Sequence, residues 1–108
     1  MPSVNVFLPQ EHLAQHAPAI PDFVADVTEL CIGVIGASLD KVQVILVPTL
    51  PVLQGPPGSI EVKLRAGRSA ETMDRFMAGL DNASQARFGC RPRIRCFASE
   101  AEALFARN

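Results

Sequence analysis

The chain carries one pattern written twice, and that doubling restricts the folds open to it more than any single residue does. In the first copy Val4, Val6 and Leu8 alternate within Ser3 to Leu8, the two-residue period of a strand with one buried face. Pro18 and Pro21 then suit the first turn of a helix. Beyond them Phe23, Val27, Leu30, Cys31, Val34 and Ile35 recur at helical spacing, with Asp22, Asp26 and Glu29 on the opposite side. Gly36 supplies a stop, and the β-branched run from Val42 to Val47 predicts a second strand. Pro48 to Ser59 holds Pro48, Pro51, Gly55, Pro56, Pro57 and Gly58, which suits neither a helix interior nor a central strand and predicts a connecting loop. The series then returns. Ile60, Val62 and Leu64 alternate with Glu61, Lys63 and Arg65, and Ser69 caps a helix carrying Met73, Phe76, Met77, Leu80 and Phe88. Gly89 stops that helix, and Arg93 to Phe97 forms the closing strand. Glu100 to Arg107 predicts a short terminal helix.

Two βαβ repeats spaced by about fifty to sixty residues make an α/β (α+β) fold. Right-handed crossovers put both helices on one face of a four-stranded sheet. Val4, Val6, Val44, Leu46, Ile60, Val62, Leu64 and Ile94 are expected under the helices. The other face carries Asn5, Gln43, Glu61, Lys63, Arg65, Arg93 and Arg95. It is too polar for a second dry core, so it is expected to be solvated, to lie in a wet subunit interface, or to bind something. At 108 residues the chain suits one domain, with repeat one at about 2–47, a loop at 48–59, repeat two at about 60–97 and a tail at 98–108.

Composition narrows the function classes. The chain is 48% hydrophobic and 6% aromatic with no Trp or Tyr, so aliphatic residues and Phe must fill the core. No apolar run approaches the roughly 18 residues that span a bilayer, and no signal-type segment opens the chain; a soluble, cytoplasmic protein is expected, without membrane contact. Cys31, Cys90 and Cys96 form no CxxC pair, so reduced buried thiols are expected rather than disulfides or structural zinc. Charge is divided. Up to Val62 one base, Lys41, stands against six acids, and from Lys63 onward nine bases stand against five acids. The basic half lacks the interleaved aromatics of a nucleic-acid platform, so a small anionic substrate or an acidic partner subunit explains it better.

Two families share this order of elements: the ferredoxin-like modules, which often bind ligands, and the tautomerases. Position 2 bears on the choice. Removal of Met1 before a small residue would leave Pro2 as a secondary amine at the start of a strand. An α-amino group has a reference pKa of about 8, and burial or a nearby cation lowers it toward a neutral base at pH 7. Such a base can abstract a proton next to a carbonyl.

A second segment agrees. Lys63-Leu64-Arg65-Ala66-Gly67-Arg68-Ser69-Ala70-Glu71 closely resembles the strand-to-helix junction of the 5-carboxymethyl-2-hydroxymuconate isomerases. These fall within the tautomerase superfamily, which also holds 4-oxalocrotonate tautomerase and macrophage migration inhibitory factor. The resemblance implies a tautomerase-like domain and a homotrimer with sites near subunit boundaries. It implies an isomerase of the kind used in aromatic-compound degradation, in which Pro2 moves a proton in a small enol or dienol acid, with no cofactor. Arg68 matches the motif arginine that helps hold a substrate carboxylate, and its planar fork suits that task; on its own chemistry it equally suits capping a loop or pairing with Glu71. Lys41, before the second strand, is a second substrate-binding candidate, and Asp40 and Arg65 are further candidates near the proline.

The sequence also departs from these relatives. With no Tyr or Trp, a phenol cannot polarise the carbonyl, and backbone N–H groups near Ile60 to Val62, or Arg68 itself, are expected to stabilise the enolate oxygen. His12 and His16 lack further ligands to complete a metal set, so no metal is expected and both are read as solvated. Met73 and Met77 are read as core filling. Cys90 and Cys96 lie near arginines but have no histidine base nearby in sequence, and no phosphate-binding glycine loop is present. Three readings stand at this point: a proline-dependent isomerase, a non-catalytic protein of the same fold, and a ferredoxin-like ligand-binding module.

Overall fold

Alternating apolar residues become four seven-residue strands: β1 (Ser3–Pro9), β2 (Gln43–Thr49), β3 (Ser59–Arg65) and β4 (Arg93–Ser99). The computed structural model describes residues 2–51, 55 and 57–107. Three helices join the strands: a short α1 (Gln10–Gln15), α2 (Ile20–Gly33) and α3 (Ala70–Phe88). The strand order is β2-β1-β3-β4. β1 runs parallel to β2, β3 parallel to β4, and β1 antiparallel to β3.

This connectivity removes one of the two candidate folds. A ferredoxin-like module is built on split βαβ units, in which another strand lies between the two parallel ones. Here each parallel pair is directly hydrogen-bonded, β1 to β2 and β3 to β4, so both units are unsplit and the ferredoxin-like reading falls. Within the sheet the repeats meet across the central antiparallel pair, where Val4 stands opposite Val62 and Val6 opposite Ile60.

The core lies between the sheet and its helices. Val4, Val6 and Leu8 from β1 and Ile60, Val62 and Leu64 from β3 are buried beneath Phe23, Val27 and Cys31 of α2 and Phe76, Leu80 and Phe88 of α3. Phe23 and Phe88 pack at 4.6 Å between ring centroids, within the range where aromatic pairs add to simple burial. Val44, Leu46 and Ile94 face the same way but are only partly buried, because β2 and β4 are the sheet edges. The opposite face exposes Gln43, Lys63, Arg65, Arg93 and Arg95, with Ile45 and Phe97 exposed among them.

Capping explains where the helices start and stop. Ser69 Oγ accepts the Thr72 N–H at 3.1 Å and starts α3, satisfying one of the amides a helix N-terminus leaves unpaired. Past their C-termini Gly36 and Gly89 take left-handed conformations at φ 71° and 66°, which a side chain disfavours. Arg87 joins the helices through Asp26, with Nε–Oδ2 at 2.8 Å and Nη2–Oδ1 at 3.3 Å.

Three expectations need correction. The expected loop is shortened at both ends, since β2 runs through Pro48 and Thr49 and β3 begins at Ser59; Pro48 is tolerated because β2 is an edge strand. Residues 52–54 and 56 of that loop lie outside the described residues. The expected terminal helix is a single 3₁₀ turn, Ala101–Ala103; Leu104 and Phe105 beyond it are exposed, so no buried apolar face supports a longer helix. Helix α1 was not expected, and it carries Leu13 into the core. No helix among the described residues is long and apolar enough to cross a membrane.

Candidate active site at the Pro2 end of the sheet

Strand directions bring Lys63 and Arg65 to the same end of the sheet as Pro2. Because β1 and β2 start where β3 and β4 finish, the Pro2 end of the sheet also receives the ends of the two later strands. Pro2 is fully buried, continuing the inward series of Val4, Val6 and Leu8. Its carbonyl oxygen accepts the Gln43 N–H at 3.1 Å, which fixes the head of β1 against β2. Met1 lies outside the described residues.

Beside this end is a cavity of about 320 Å³ lined by Ser3, Lys63, Arg65, Phe97, Ser99 and Leu104. Ser3 stands opposite Lys63, and Lys63 opposite Phe97, so the alternation of three strands points these residues to the face away from the helices. Lys63 and Arg65 are exposed, and neither forms an ion pair among the described residues. The cavity therefore offers two cations, two hydroxyls and an aromatic wall, a combination suited to a small carboxylate.

The candidates drawn from sequence are placed unequally. Arg65 lines the cavity. Lys41 is exposed on the 3₁₀ turn Leu39–Lys41, two residues before the Gln43 amide that bonds to Pro2, so its turn adjoins the same end. Ile60 does not join them. It is buried in the core and paired with Val6, four residues or roughly 13 Å along the strand from the Pro2 position. The amides of Ile60 to Val62 belong to an interior strand laddered on both sides, so they are not available to hold an enolate oxygen. Sequence reasoning missed Lys63, although its parity with Arg65 was a readable signal. It also missed Ser3, Ser99 and Leu104, whose approach depends on strand order.

Arg68 is tied to the fold. Its Nε donates to the Ile35 carbonyl at 2.9 Å and its Nη1 to the Arg65 carbonyl at 2.8 Å, clamping the end of α2 to the end of β3. Of its two sequence-based roles, loop capping is thus realised, and no pairing with Glu71 occurs among the described residues. Its charge also acts on Cys31: burial pushes that thiol up to about 11, and the Arg68 cation partly opposes the rise. Burial likewise raises Cys90 and Cys96, so all three thiols stay protonated at neutral pH.

The histidines are engaged with the backbone rather than solvated. His12 Nε2 donates to the Phe88 carbonyl at 2.7 Å, and His16 Nδ1 to the His12 carbonyl at 3.0 Å, with the two rings stacked at 4.5 Å. His12 is the counterpart of Arg68. Ser3–Pro9 and Ser59–Arg65 correspond at an offset of 56 residues, which carries position 12 onto position 68. Their acceptors correspond too, since Ile35 and Phe88 each precede a left-handed glycine, Gly36 and Gly89. Each repeat thus sends a side chain from the connection after its first strand to hold the end of the other repeat's helix.

No family model and no curated protein matches the chain. Solved structures do. A fused 4-OT designated F6, described as an asymmetric trimer, is 19% identical with a TM-score of 0.78, over 96% of this chain and 91% of that one. Macrophage migration inhibitory factor from Toxoplasma gondii is 15% identical with a TM-score of 0.71, over 96% and 95%. N1, a member of the cis-3-chloroacrylic acid dehalogenase family, is 16% identical with a TM-score of 0.74, over 96% and 79%. At these identities the likeness is one of fold: this chain's four-stranded mixed sheet and helices form the tautomerase-like α+β fold shared with these structures.

Proposed function

We propose that the chain is a tautomerase in which Pro2, freed by removal of Met1, moves a proton α to a carbonyl in a small enol or dienol carboxylic acid. The observation that supports this reading is the tautomerase-like fold with Pro2 at the head of an interior strand, at the same end of the sheet as the cavity lined by Lys63 and Arg65. The neutral amine takes a proton from carbon, the carbon–hydrogen electron pair moves into the conjugated system, and the same proton returns to another atom of the acid. No net oxidation occurs. Lys63 and Arg65 hold the carboxylate, and the neighbouring positive charge with burial of the ring keeps the amine's pKa near neutrality. Lys41 stands at the rim. Arg68 spends only two of its N–H donors on carbonyls, and the rest are left for a carboxylate or an enolate oxygen.

The finer assignment follows from the Ala66-Gly67-Arg68-Ser69-Ala70-Glu71 match: a substrate of the 5-carboxymethyl-2-hydroxymuconate type, handled by one tautomerase-like domain assembled as a homotrimer. The trimer is supported by fused 4-OT structures described as trimers. The backbone duties of Arg68 favour a second reading, in which the fold is kept and the chemistry absent. Intact mass of natively expressed protein, together with enol-to-keto assays on phenylenolpyruvate and 2-hydroxymuconate for wild type and Pro2→Ala, separates the two. Loss of Met1 and activity that collapses in Pro2→Ala are expected. A retained Met1, or activity indifferent to the substitution, overturns the proposal.

A further inference from the structure

The offset of 56 residues that carries His12 onto Arg68 carries Pro2 onto Gly58, at the opposite end of the sheet. The backbone link is reproduced: the Gly58 carbonyl accepts the Arg93 N–H at 3.0 Å, as the Pro2 carbonyl accepts Gln43 N–H at 3.1 Å. A cavity is reproduced as well, about 350 Å³ in volume and lined by Phe7, Thr49, Gly58, Ser59, Arg93 and Arg95. Its chemistry is not reproduced. Gly58 is an internal residue, so its nitrogen is an amide and cannot act as a base. A Cβ at this position would strike the Phe7 carbonyl oxygen and the Leu8 side chain.

Arginine replaces the base. Arg93 and Arg95 are two apart on β4, so both side chains leave the sheet on the same face with Cα atoms about 7 Å apart. Both are exposed. Neither makes a side-chain hydrogen bond or an ion pair among the described residues, although Glu61 stands opposite Arg95 in the register. The hydroxyls of Ser59 and Thr49 and the ring of Phe7 complete the lining. Two guanidinium forks carried on one face of the strand can each take a carboxylate.

We propose that this second cavity is a non-catalytic site for a small dicarboxylate, held by Arg93 and Arg95. The site is separate from the Pro2 cavity and requires no activity there. Adipate is a suitable probe because it has no double bond to isomerise. In amide NMR spectra of the whole protein, adipate at constant ionic strength is expected to move the resonances of Gly58, Ser59, Arg93 and Arg95 saturably. Arg93→Gln/Arg95→Gln is expected to weaken that binding by roughly tenfold or more, the worth of losing charge-assisted hydrogen bonds. Unchanged dispersion elsewhere in the spectrum shows that the variant is folded. Unmoved Gly58 and Ser59 amides, equal shifts with sodium chloride, or equal affinity in the variant would each overturn the proposal.

Discussion

Pro2 and Gly58 hold equivalent places at opposite ends of one sheet, each bonding through its carbonyl to the first amide of the neighbouring parallel strand. The frame around them is equally matched, with Arg68 and His12 holding opposite helix ends through the carbonyls of Ile35 and Phe88. What differs is the chemistry placed in the frame. One end has a buried proline and, on the opposite face, a cavity with Lys63 and Arg65; the other has a glycine that lines its cavity together with Arg93 and Arg95. The backbone requirements of the fold are met by residues as unlike as Arg and His, because any side-chain donor of suitable reach satisfies a carbonyl. Proton transfer is less permissive, since it needs a neutral amine at one atom.

The largest effect expected from breaking this comparison is catalytic. Pro2→Ala should lower isomerase turnover by about 10²- to 10⁴-fold, the usual worth of a positioned general base, measured on the enol substrates with folding checked by circular dichroism. Next comes the core beneath the caps. Phe88→Ala should cost about 3–5 kcal/mol and its counterpart Ile35→Ala about 2–5 kcal/mol, measured by urea unfolding. A loss below 1 kcal/mol at Phe88 would contradict its central packing.

The caps themselves should cost less. Arg68→Ala removes two charge-assisted hydrogen bonds and is expected to destabilise by about 1.5–3 kcal/mol, whereas His12→Ala removes one and should cost about 1 kcal/mol. Full stability in Arg68→Ala would mean that its carbonyl contacts contribute nothing and that it serves substrate alone. The smallest effect concerns Cys31, near Arg68 in α2. Ser84, its counterpart in α3 at the offset that relates Gly36 to Gly89, bonds to the Leu80 carbonyl. The folded-state thiol is raised by burial from 9.0 to about 11, so the folded protein holds its proton where the unfolded chain has lost it. The resulting stability is complete below pH 9 and declines from pH 9 to 11. Cys31→Ala should flatten the pH dependence of the urea midpoint across that window, and an unchanged slope would rule out this contribution.

Much of this architecture was legible in the residues. Period-two alternation placed β1, β3 and β4, a β-branched run placed β2, helical spacing placed α2 and α3, and Gly36 and Gly89 marked their stops, because each of these is a local requirement of backbone geometry and side-chain burial. The division between Val4, Val6, Ile60 and Val62 on one side and Lys63, Arg65, Arg93 and Arg95 on the other followed from the same parity. Pro2, Arg65 and Lys41 could be named as candidates because their chemistry is carried by residue type and place in the repeat.

Tertiary structure decided the rest. Strand order turned two βαβ units into an unsplit pair and excluded the ferredoxin-like arrangement, a choice that depends on which edges hydrogen-bond rather than on any local preference. It brought Ser3, Lys63, Phe97 and Ser99 around one cavity from positions up to 96 residues apart. It also buried Ile60 away from the site and joined Arg68 to Ile35 and His12 to Phe88. These contacts were hidden in the sequence because a free carbonyl at a helix end carries no residue signature, and its donor is chosen by whichever side chain the assembled fold brings within reach.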